Sequence, residues 1–392
     1  MVKGILDGIR DSSFSFDWLA GYYPDLSVLK DVPQNPEYHG EGDVYRHTEM
    51  VCEKLVELPG WQALKKDEQE LLFLAAAFHD IGKAVFTKQE KGEWISPKHT
   101  IIGEKMFRRI AYREAEQFGL TFHQRETVAK LIRYHGLPVW FWTKQRPEPD
   151  LFKAAESIPL RLLHLLSKAD VRGRIEKVPG QMEENVELFA DYARESGIWE
   201  NPWVFANPYT RFQYFHKEGL WHKAELYDDT AFDVILMSGL PLAGKDSWIE
   251  KNNMGMPVIS LDDIREQLGV SPAKGSGRVV QAAMEQAKNY LRRKEPFIWN
   301  ATNIIQETRQ KLVSLFAGYG ARVHILYLEA PYQELLARNR KRVRYIPEHV
   351  LEEMIRKLEI PAPWEAYDVR YDIFAPVSDL RKHRVLSEWD VY

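Results

Sequence analysis

The sequence predicts a multidomain protein with an all-α first half and an α/β second half. At 392 residues the chain is too long for one ordinary hydrophobic core, so two or three domains are expected. From about residue 44 to about residue 193 the apolar residues recur with helical spacing, and no convincing alternating strand interrupts them. After Asp233, short apolar runs alternate with helical stretches, which predicts a parallel sheet with helices on both faces.

The composition is that of a globular protein, with 45% hydrophobic and 28% charged residues. The formal net charge of −4 does not exclude a nucleic-acid partner, because a local basic patch is what counts. The single cysteine, Cys52, excludes internal disulfides and fits a reducing compartment. We see neither the long apolar core of a signal peptide nor a run of membrane-spanning length, so we expect a cytoplasmic protein without a membrane partner.

The first 45 residues contain several prolines and glycines and are expected to be rich in loops. Residues 195–230 combine prolines, aromatic residues and histidines, which indicates an ordered connector. We therefore expect domains at 1–200 and 231–392, joined by a connector at 201–230. Apolar spacing predicts helices in the first domain that begin near His47 and span 67–78, 103–118, 124–134, 159–168 and 183–194.

The second half predicts a sheet whose functional edge can be located in advance. In such sheets ligands bind beyond the carboxyl ends of the strands, so a phosphate site is expected at the first strand-to-helix turn. The predicted strands are Val234–Met237, Val258–Leu261, Phe297–Trp299 and Val323–Leu328.

That first turn carries the spacing of a phosphate-binding loop, Gly239-x-x-x-x-Gly244-Lys245. Backbone N–H groups of such a loop surround the phosphates, and the lysine reaches the β- and γ-phosphates. The alternative is a plain glycine-rich turn, but a strand before the loop and a helix after it favour a nucleotide such as ATP. The predicted ATP-binding residues are Gly239, Leu240, Pro241, Leu242, Ala243, Gly244, Lys245, Asp246 and Ser247.

The residue after the lysine departs from this motif. The motif places Ser or Thr there to hold Mg²⁺, whereas this chain has Asp246, followed by Ser247. Which of the two side chains serves Mg²⁺ stays open.

Histidines and aspartates of the first half fall at the ends of predicted helices. Imidazole and carboxylate groups suit divalent first-row metals such as Mn²⁺, Co²⁺ or Ni²⁺, and the set is large enough for one or two ions. Each histidine alone is more often a hydrogen-bonded structural residue. His79 and Asp80, however, close an apolar helix, where burial is costly unless both are satisfied. The candidate ligands are His47, His79, Asp80, His99, His135 and Asp170.

These residues form an ordered pattern across about residues 40–195, which includes Phe78-His79-Asp80-Ile-Gly-Lys83 and Lys168-Ala-Asp170. The pattern resembles the HD-domain metal phosphohydrolases, in particular the HD module of some tRNA nucleotidyltransferases that acts on 2′,3′-cyclic phosphates and 2′-phosphates. The resemblance implies that Lys83 lies beside the metals and neutralises a bound phosphate, although it could be a solvated lysine. It implies four metal ligands at His47, His79, Asp80 and Asp170, and two more in two-metal members at His99 and His135.

After the second predicted strand, the segment Asp262-Asp263-Ile-Arg265 can serve a phosphoryl acceptor. A carboxylate at a strand end can take the proton of an attacking hydroxyl. The segment resembles that of phage-type 5′-OH polynucleotide kinases, which implies that Asp262 is the general base and Arg265 contacts the acceptor's phosphate. The alternative is that an aspartate of this segment caps the helix of residues 264–268.

Five cationic residues lie within residues 338–344. A charge run is usually a solvated face, but arginines of a helical lid in P-loop kinases stabilise charge on the transferred phosphoryl group. The spacing resembles the polynucleotide kinase lid, which implies that Arg338 and Arg342 contact ATP and that Arg342 is catalytic. The segment Asn300-Ala-Thr302-Asn303 is similar to one found in P-loop kinases in general.

Together the two halves resemble a bacterial RNA end-healing enzyme, in which an HD phosphohydrolase is fused to a P-loop 5′-OH polynucleotide kinase. The resemblance implies phosphorylation of 5′-OH ends with ATP and Mg²⁺. It also implies removal of 2′,3′-cyclic phosphate or 2′-phosphate with a transition metal. The implied partners are RNA ends, with DNA ends as a further option, and a separate RNA ligase that acts downstream. The oligomeric state stays open. Two alternatives remain: a nucleotide-sensing HD phosphohydrolase with a regulatory P-loop, and a small-metabolite kinase fused to an HD nucleotidase.

Overall fold

The chain divides into two compact units in the computed structural model, which describes residues 4–176, 180–253, 255–271, 276–342 and 344–374. The first unit is Met1–Asp228 with Ala362–Trp364, and the second is Asp229–Pro361 with Glu365–Tyr392. Residues 201–228 of the expected connector fall in the first unit. The predicted second domain also includes residues 375–392, which lie outside the described residues.

The first unit is helical, as predicted, and its described part adds one short antiparallel hairpin. The hairpin pairs β1 (Lys88–Glu90) with β2 (Glu93–Ile95). The α-helices are α1 (Ile5–Asp11), α2 (Phe16–Tyr22), α3 (Val44–Glu57), α4 (Pro59–Gln62), α5 (Lys66–Phe78), α6 (Lys83–Phe86), α7 (His99–Arg113), α8 (Ala115–Phe118), α9 (Phe122–Tyr134), α10 (Leu137–Trp140), α11 (Glu148–Ala155), α12 (Leu160–Arg172), α13 (Gln181–Glu195) and α14 (Pro208–His216).

The prediction of a loop-rich N-terminus was wrong for α1 and α2. Ile5 and Ile9 of α1 and Leu19 of α2 are fully buried, so each helix gains its stability by packing one apolar face. The hairpin was also missed, because its strand residues are exposed or half-buried and show no apolar alternation. Its turn at Lys91 and Gly92, both with positive φ, was the available signal.

The helix α5 is the centre of the first unit. Its residues from Leu72 to Phe78 are fully buried, which explains why its sequence is apolar on every side. Helices α3, α9 and α12 pack against it. Because each of these four helices carries or directly precedes a candidate metal ligand, this packing brings the ligands to one place.

The second unit is built on a five-stranded parallel sheet with the order β4-β5-β3-β6-β7. Four of its strands match the predicted ones. Its strands are β3 (Phe232–Ser238), β4 (Val258–Ser260), β5 (Phe297–Asn300), β6 (Ala321–Glu329) and β7 (Asp368–Ile373). Its α-helices are α15 (Lys245–Asn252), α16 (Leu261–Gln267), α17 (Ser276–Arg293), α18 (Gln306–Gly318), α19 (Tyr332–Lys341) and α20 (Glu348–Lys357).

The edge strand β7 was not predicted. Its residues are exposed or half-buried and form no buried apolar run, but their alternation between charged and apolar types was the available signal of a strand. The strand β3, which leads into the glycine-rich loop, lies in the middle of the sheet. Among the described residues, no helix combines the length and apolar character that a membrane crossing requires.

Candidate metal centre and phosphate-binding loop

The carboxylate of Asp80 lies at the centre of the histidine cluster in the first unit. Helix α5 ends at Phe78, and His79 and Asp80 follow directly, both buried. Asp80 Oδ2 lies 3.3 Å from His79 Nε2 and 3.8 Å from His47 Nε2. Asp80 Oδ1 lies 3.4 Å from His99 Nε2 and 3.8 Å from His135 Nε2. The two oxygens therefore face two different groups of ligand atoms.

Asp170 completes the first of these groups. It lies in α12, is buried, and places Oδ1 3.1 Å from His47 Nε2 and 3.9 Å from His79 Nε2. The fold thus brings together all six candidate ligands proposed from the sequence, although they are separated by up to 123 positions along the chain.

Three histidines of the cluster are oriented by the same backbone contact. His79, His99 and His135 donate Nδ1–H to the carbonyl oxygen three residues earlier, at 2.7, 2.7 and 2.9 Å. In the neutral ring this leaves the lone pair on Nε2, the nitrogen that faces Asp80. Such contacts orient histidine ligands in metal sites.

The cluster fits a divalent metal by its unsatisfied atoms as well as by its residue types. His79 Nε2 and Asp80 Oδ1 are buried and make no hydrogen bond to the described part of the chain. Buried polar atoms without a partner are costly, and a cation would satisfy both. Ligand atoms of His47, His79 and Asp80 lie within 4.8 Å of one another, as do those of Asp80, His99 and His135. The donor set therefore fits one ion or two.

The surroundings favour the deprotonated forms of the two aspartates and of His135, whereas burial lowers the pKa of His79 but the Asp80 carboxylate outweighs it and raises that pKa. Burial raises the pKa of Asp80, but Lys83 and His79 outweigh it and hold that pKa well below its usual range. Burial likewise raises the pKa of Asp170, and Arg174 and His47 reverse the shift. Burial lowers the pKa of His135 to about 3, so this imidazole stays neutral and keeps a lone pair for coordination.

Several residues around the ligands were missed from the sequence. Glu41 Oε1 lies 2.9 Å from His47 Nδ1 and 2.8 Å from His39 Nδ1, and Glu41 Oε2 accepts the backbone N–H of Ile175 at 2.9 Å. Arg174 donates to both oxygens of Asp170, at 3.1 and 2.6 Å. The residues before α3 follow no helical period, so the pattern held no signal for Glu41.

Lys83 is a buried member of this cluster. Its Nζ lies 2.7 Å from Asp80 Oδ2 and donates to Gln34 Oε1 at 2.8 Å. The alternative of a solvated lysine at a helix end is therefore wrong. The ammonium group contacts a candidate metal ligand directly, which places a positive charge at the cluster.

The glycine-rich loop of the second unit has the backbone geometry that its two glycines permit. Gly239 has φ 141° and Gly244 has φ 106°, which are unfavourable for residues with a Cβ. A Cβ at Gly239 would also lie 2.4 Å from the carbonyl oxygen of Leu328. Lys245 Nζ donates to the carbonyl oxygens of Gly239 and Leu240 at 3.0 and 2.8 Å, and burial lowers its pKa to about 8.

Asp246 and Ser247 are both exposed in the first turn of α15. Asp246 Oδ1 accepts a hydrogen bond of 2.8 Å from Asn300 Nδ2 at the end of β5. The amide of Asn303 donates to the carbonyl of Met237 at 2.7 Å. The segment after β5 therefore contacts the loop from the neighbouring strand, and both oxygen-bearing side chains remain candidates for Mg²⁺.

Asp262 lies in the first turn of α16 with 83% of its side chain exposed, and it pairs with Arg265. The helix cap is Ser260, whose Oγ accepts the N–H of Asp263 at 3.2 Å. The alternative that an aspartate of this segment caps the helix is therefore wrong. The carboxylate of Asp262 is free of that role and raises the pKa of Lys245.

The two lid arginines differ in their surroundings. Arg338 in α19 donates to the carbonyl of Leu242 at 2.8 Å and to Glu334 at 2.7 Å. Leu242 has a positive φ of 68°, so Arg338 stabilises an unfavourable conformation of the loop. Arg342, which directly follows α19, is exposed, and its charge lowers the pKa of Lys245.

Two protein families match different parts of the chain, one in the first unit and one in the second. Residues 44–175 match the HD domain family, and residues 234–361 match the AAA domain family. A multifunctional CCA protein from Hahella chejuensis is 42% identical over 81 residues, which cover 21% of this chain and 16% of that protein. An L-seryl-tRNA(Sec) kinase from Methanococcus maripaludis is 26% identical over 143 residues, covering 35% of this chain and 56% of that protein.

These relatives are matched only in part, since the chain spans 16% and 56% of their lengths. A crystal structure of a Chloroflexus aurantiacus protein assigned as a kinase shares 18% identity, with a TM-score of 0.30 over 37% of this chain and 86% of that one. The chain combines an N-terminal HD domain with a C-terminal P-loop domain of the AAA type.

Proposed function

We propose that the protein heals RNA ends. The P-loop unit phosphorylates 5′-OH ends with ATP, and the HD unit removes 2′,3′-cyclic phosphate or 2′-phosphate from the other end. The observation that carries the proposal is the clustering of six ligand-type side chains, Asp80 among them, in a chain that also contains a P-loop kinase unit. The products, a 5′-phosphate and a 3′-OH, are the substrates of a separate RNA ligase.

In the HD unit, the side chains hold the reacting phosphate and its counter-ions. When bound, one or two transition-metal ions polarise the phosphate and supply an activated water. His47, His79, Asp80 and Asp170 would hold one ion, and His99 and His135 with Asp80 a second. Lys83, whose ammonium group already lies 2.7 Å from Asp80, contributes positive charge toward a phosphate oxygen.

In the P-loop unit, Lys245 exchanges its contacts with the carbonyls of Gly239 and Leu240 for the phosphates of ATP. The 5′-oxygen attacks the γ-phosphorus, the bond from that phosphorus to the β,γ-bridging oxygen breaks, and ADP leaves. Asp262 accepts the proton of the hydroxyl, and Arg265 holds the adjacent acceptor phosphate. Arg342, exposed at the end of α19, stabilises charge on the transferred group, and Arg338 supports the loop.

One relative suggests a second candidate for the phosphoryl acceptor. The L-seryl-tRNA(Sec) kinase among the relatives raises a serine hydroxyl on a charged tRNA as a second candidate. The pair of Asp262 and Arg265 favours the polynucleotide end, because an arginine beside the base suits an acceptor whose nearest phosphate is close to the reacting hydroxyl. In a 5′-OH end one ribose separates the two groups, whereas in seryl-tRNA the serine and its ester linkage add to that separation. A regulatory P-loop would need no such base.

The test supplies γ-labelled ATP and Mg²⁺ with three acceptors: 5′-OH RNA, 5′-OH DNA and seryl-tRNA with a 5′-phosphate. Label on the 5′-OH oligonucleotide is the expected result, and label on seryl-tRNA alone would favour the second candidate. In parallel, RNA ending in 2′,3′-cyclic phosphate is incubated with Mn²⁺, Co²⁺ or Ni²⁺ and its ends are analysed. No transfer to any acceptor and no change of the cyclic end would refute the proposal.

A further inference from the structure

Helix α10 borders the candidate metal centre in the first unit. It begins two residues after His135, whose Nε2 faces Asp80. Val139 is buried in a small apolar cluster with Val171 and Met182, which follow the candidate ligand Asp170 in sequence. The helix is therefore joined to the centre by the chain and by packing.

Trp140 is an exposed aromatic residue on this helix. The residue is 48% exposed, and its backbone N–H donates to the carbonyl of Gly136 at 3.2 Å. A Cβ built at Gly136 would lie 3.7 Å from Trp140 Cδ1. The indole thus lies against the residue that follows His135 and leaves about half of its surface to solvent. The indole is therefore not a core residue, and packing inside the fold does not explain why a large aromatic side chain lies here.

We propose that the Trp140 indole is the platform on which the terminal nucleobase of the phosphoester substrate stacks. This rests on the proposed function of the HD unit. In a 2′,3′-cyclic phosphate or a 2′-phosphate, the phosphorus and the base are attached to the same ribose, so a phosphate at the centre places the base within one sugar of it. Aromatic side chains bind bases of any sequence by stacking, as an enzyme that acts on many RNA ends requires.

Trp142 provides a matched comparison. It lies on the same segment and is 44% exposed, but its ring packs edge-on against Phe141 at 4.9 Å and Tyr192 at 5.7 Å. Those contacts direct it to α13 rather than to Gly136. Removal of Trp142 therefore tests the loss of an exposed indole without loss of the proposed platform.

The experiment compares the full-length protein with Trp140→Ala, Trp140→Phe and Trp142→Ala. Calorimetric titration measures binding of 2′-AMP and of inorganic phosphate, which lacks a base. Hydrolysis of 2′,3′-cyclic AMP and of the 2,3-cyclic phosphate of methyl riboside, which lacks an aromatic ring, is measured with Mn²⁺. Trp140→Ala should raise Kd for 2′-AMP and KM for the cyclic nucleotide about tenfold, and phosphate binding and the base-free substrate should be unchanged.

Trp140→Phe should retain most of the affinity, and Trp142→Ala should match the wild type. Unchanged 2′-AMP binding in Trp140→Ala would overturn the proposal, as would an equal loss for 2′-AMP and phosphate. Failure of the proposed function gives a different result: wild-type protein would bind 2′-AMP through Trp140 and yet hydrolyse neither phosphoester.

Discussion

At the scale of the residue, the carboxylate of Asp80 lies within 3.8 Å of four imidazole nitrogens and of one ammonium group. Its two oxygens face separate sets of imidazole nitrogens, and Lys83 Nζ contacts Oδ2. A carboxylate with this arrangement can bridge two cations or serve one. In either case its loss removes an oxygen ligand and leaves the neighbouring Lys83 without its counter-charge.

We predict that Asp80→Ala lowers the metal content of the purified protein. Wild-type protein should contain about one to two transition-metal ions per chain, and the variant should contain less than half of that amount. Inductively coupled plasma mass spectrometry measures it. His123→Ala is the control, because His123 is exposed and outside the cluster. A variant that kept the full metal content would contradict the assignment of Asp80.

Lys245 is the residue that the kinase step needs most directly. We predict that Lys245→Ala lowers phosphoryl transfer by about 10²–10³-fold, because the charge on the phosphates is then no longer neutralised in a preorganised site. Transfer from labelled ATP is the measurement. Lys251→Ala is the control, since Lys251 is an exposed lysine of the same helix. A variant with wild-type transfer would show that the loop does not act on ATP.

Asp262 and its neighbour Asp263 allow the general base to be tested within one helical turn. We predict that Asp262→Asn lowers kcat by about 10²–10⁴-fold with little change in ATP affinity, because the amide keeps the shape but accepts no proton. Asp263→Asn, which changes a second exposed carboxylate, should leave kcat within about twofold. Lower ATP binding with unchanged turnover would assign Asp262 to the nucleotide instead.

At the scale of the element, helix α18 is attached to the segment after β5 by one buried side chain. Arg309 is fully buried and forms two hydrogen bonds with Glu365, at 2.7 and 2.9 Å. It also donates to the carbonyls of Asn303 and Glu359. The guanidinium therefore supports the segment whose Asn300 and Asn303 contact the glycine-rich loop and its strand.

We predict that Arg309→Met destabilises the second unit by about 3–5 kcal/mol, because the buried Glu365 carboxylate would lose both hydrogen bonds from the Arg309 guanidinium. Differential scanning calorimetry of the full chain measures this. The relevant transition is identified by its upward shift when ATP is added.

Lys311→Met is the control on the same helix. Lys311 forms an exposed pair with Glu307, and such pairs contribute little to stability. The second unit of Lys311→Met should unfold at the same temperature as that of the wild type. A transition of Arg309→Met at the wild-type temperature would show that the buried pair contributes no net stability.

At the scale of the whole molecule, the two proposed activities use different residues and different metals. The candidate transition-metal ligands all lie in the first unit, and the loop and Asp262 lie in the second. Imidazole-rich sites favour later first-row metals, whereas ATP-dependent phosphoryl transfer uses Mg²⁺. The two activities should therefore be separable by metal as well as by mutation.

We predict that, after treatment with a chelator, Mg²⁺ restores the kinase but restores at most a small fraction of the phosphohydrolase. Mn²⁺, Co²⁺ or Ni²⁺ should restore the phosphohydrolase, because these ions accept imidazole ligands. Both activities are assayed on one sample from which the metals have been removed. Asp80→Ala is the control, and no added ion should restore its phosphohydrolase activity. Hydrolysis of cyclic ends in chelator would refute the metal assignment.

Much of the fold and of the candidate site could be predicted, because several signals are local. The helices of the first unit follow from apolar periodicity, four strands from buried apolar runs, and the loop from two glycines and a lysine at fixed spacing. The elements that were missed, namely α1, α2, the hairpin and β7, are short or exposed. The helices α1 and α2 and the strand β7 depend on packing or pairing with residues that are distant in sequence. The hairpin pairs two neighbouring strands and is marked by its turn rather than by an apolar run.

The sequence by itself determined the identity of the candidate ligands and of the loop, because residue type and spacing are properties of the chain. Only the tertiary structure decided which atoms meet. Glu41 contacts His47 and His39, Lys83 is buried against Asp80, Ser260 rather than Asp262 caps α16, and Arg338 supports the Leu242 carbonyl. Each of these contacts depends on the position and orientation of side chains in the fold, and those are set by the packing of helices and strands that are far apart in sequence.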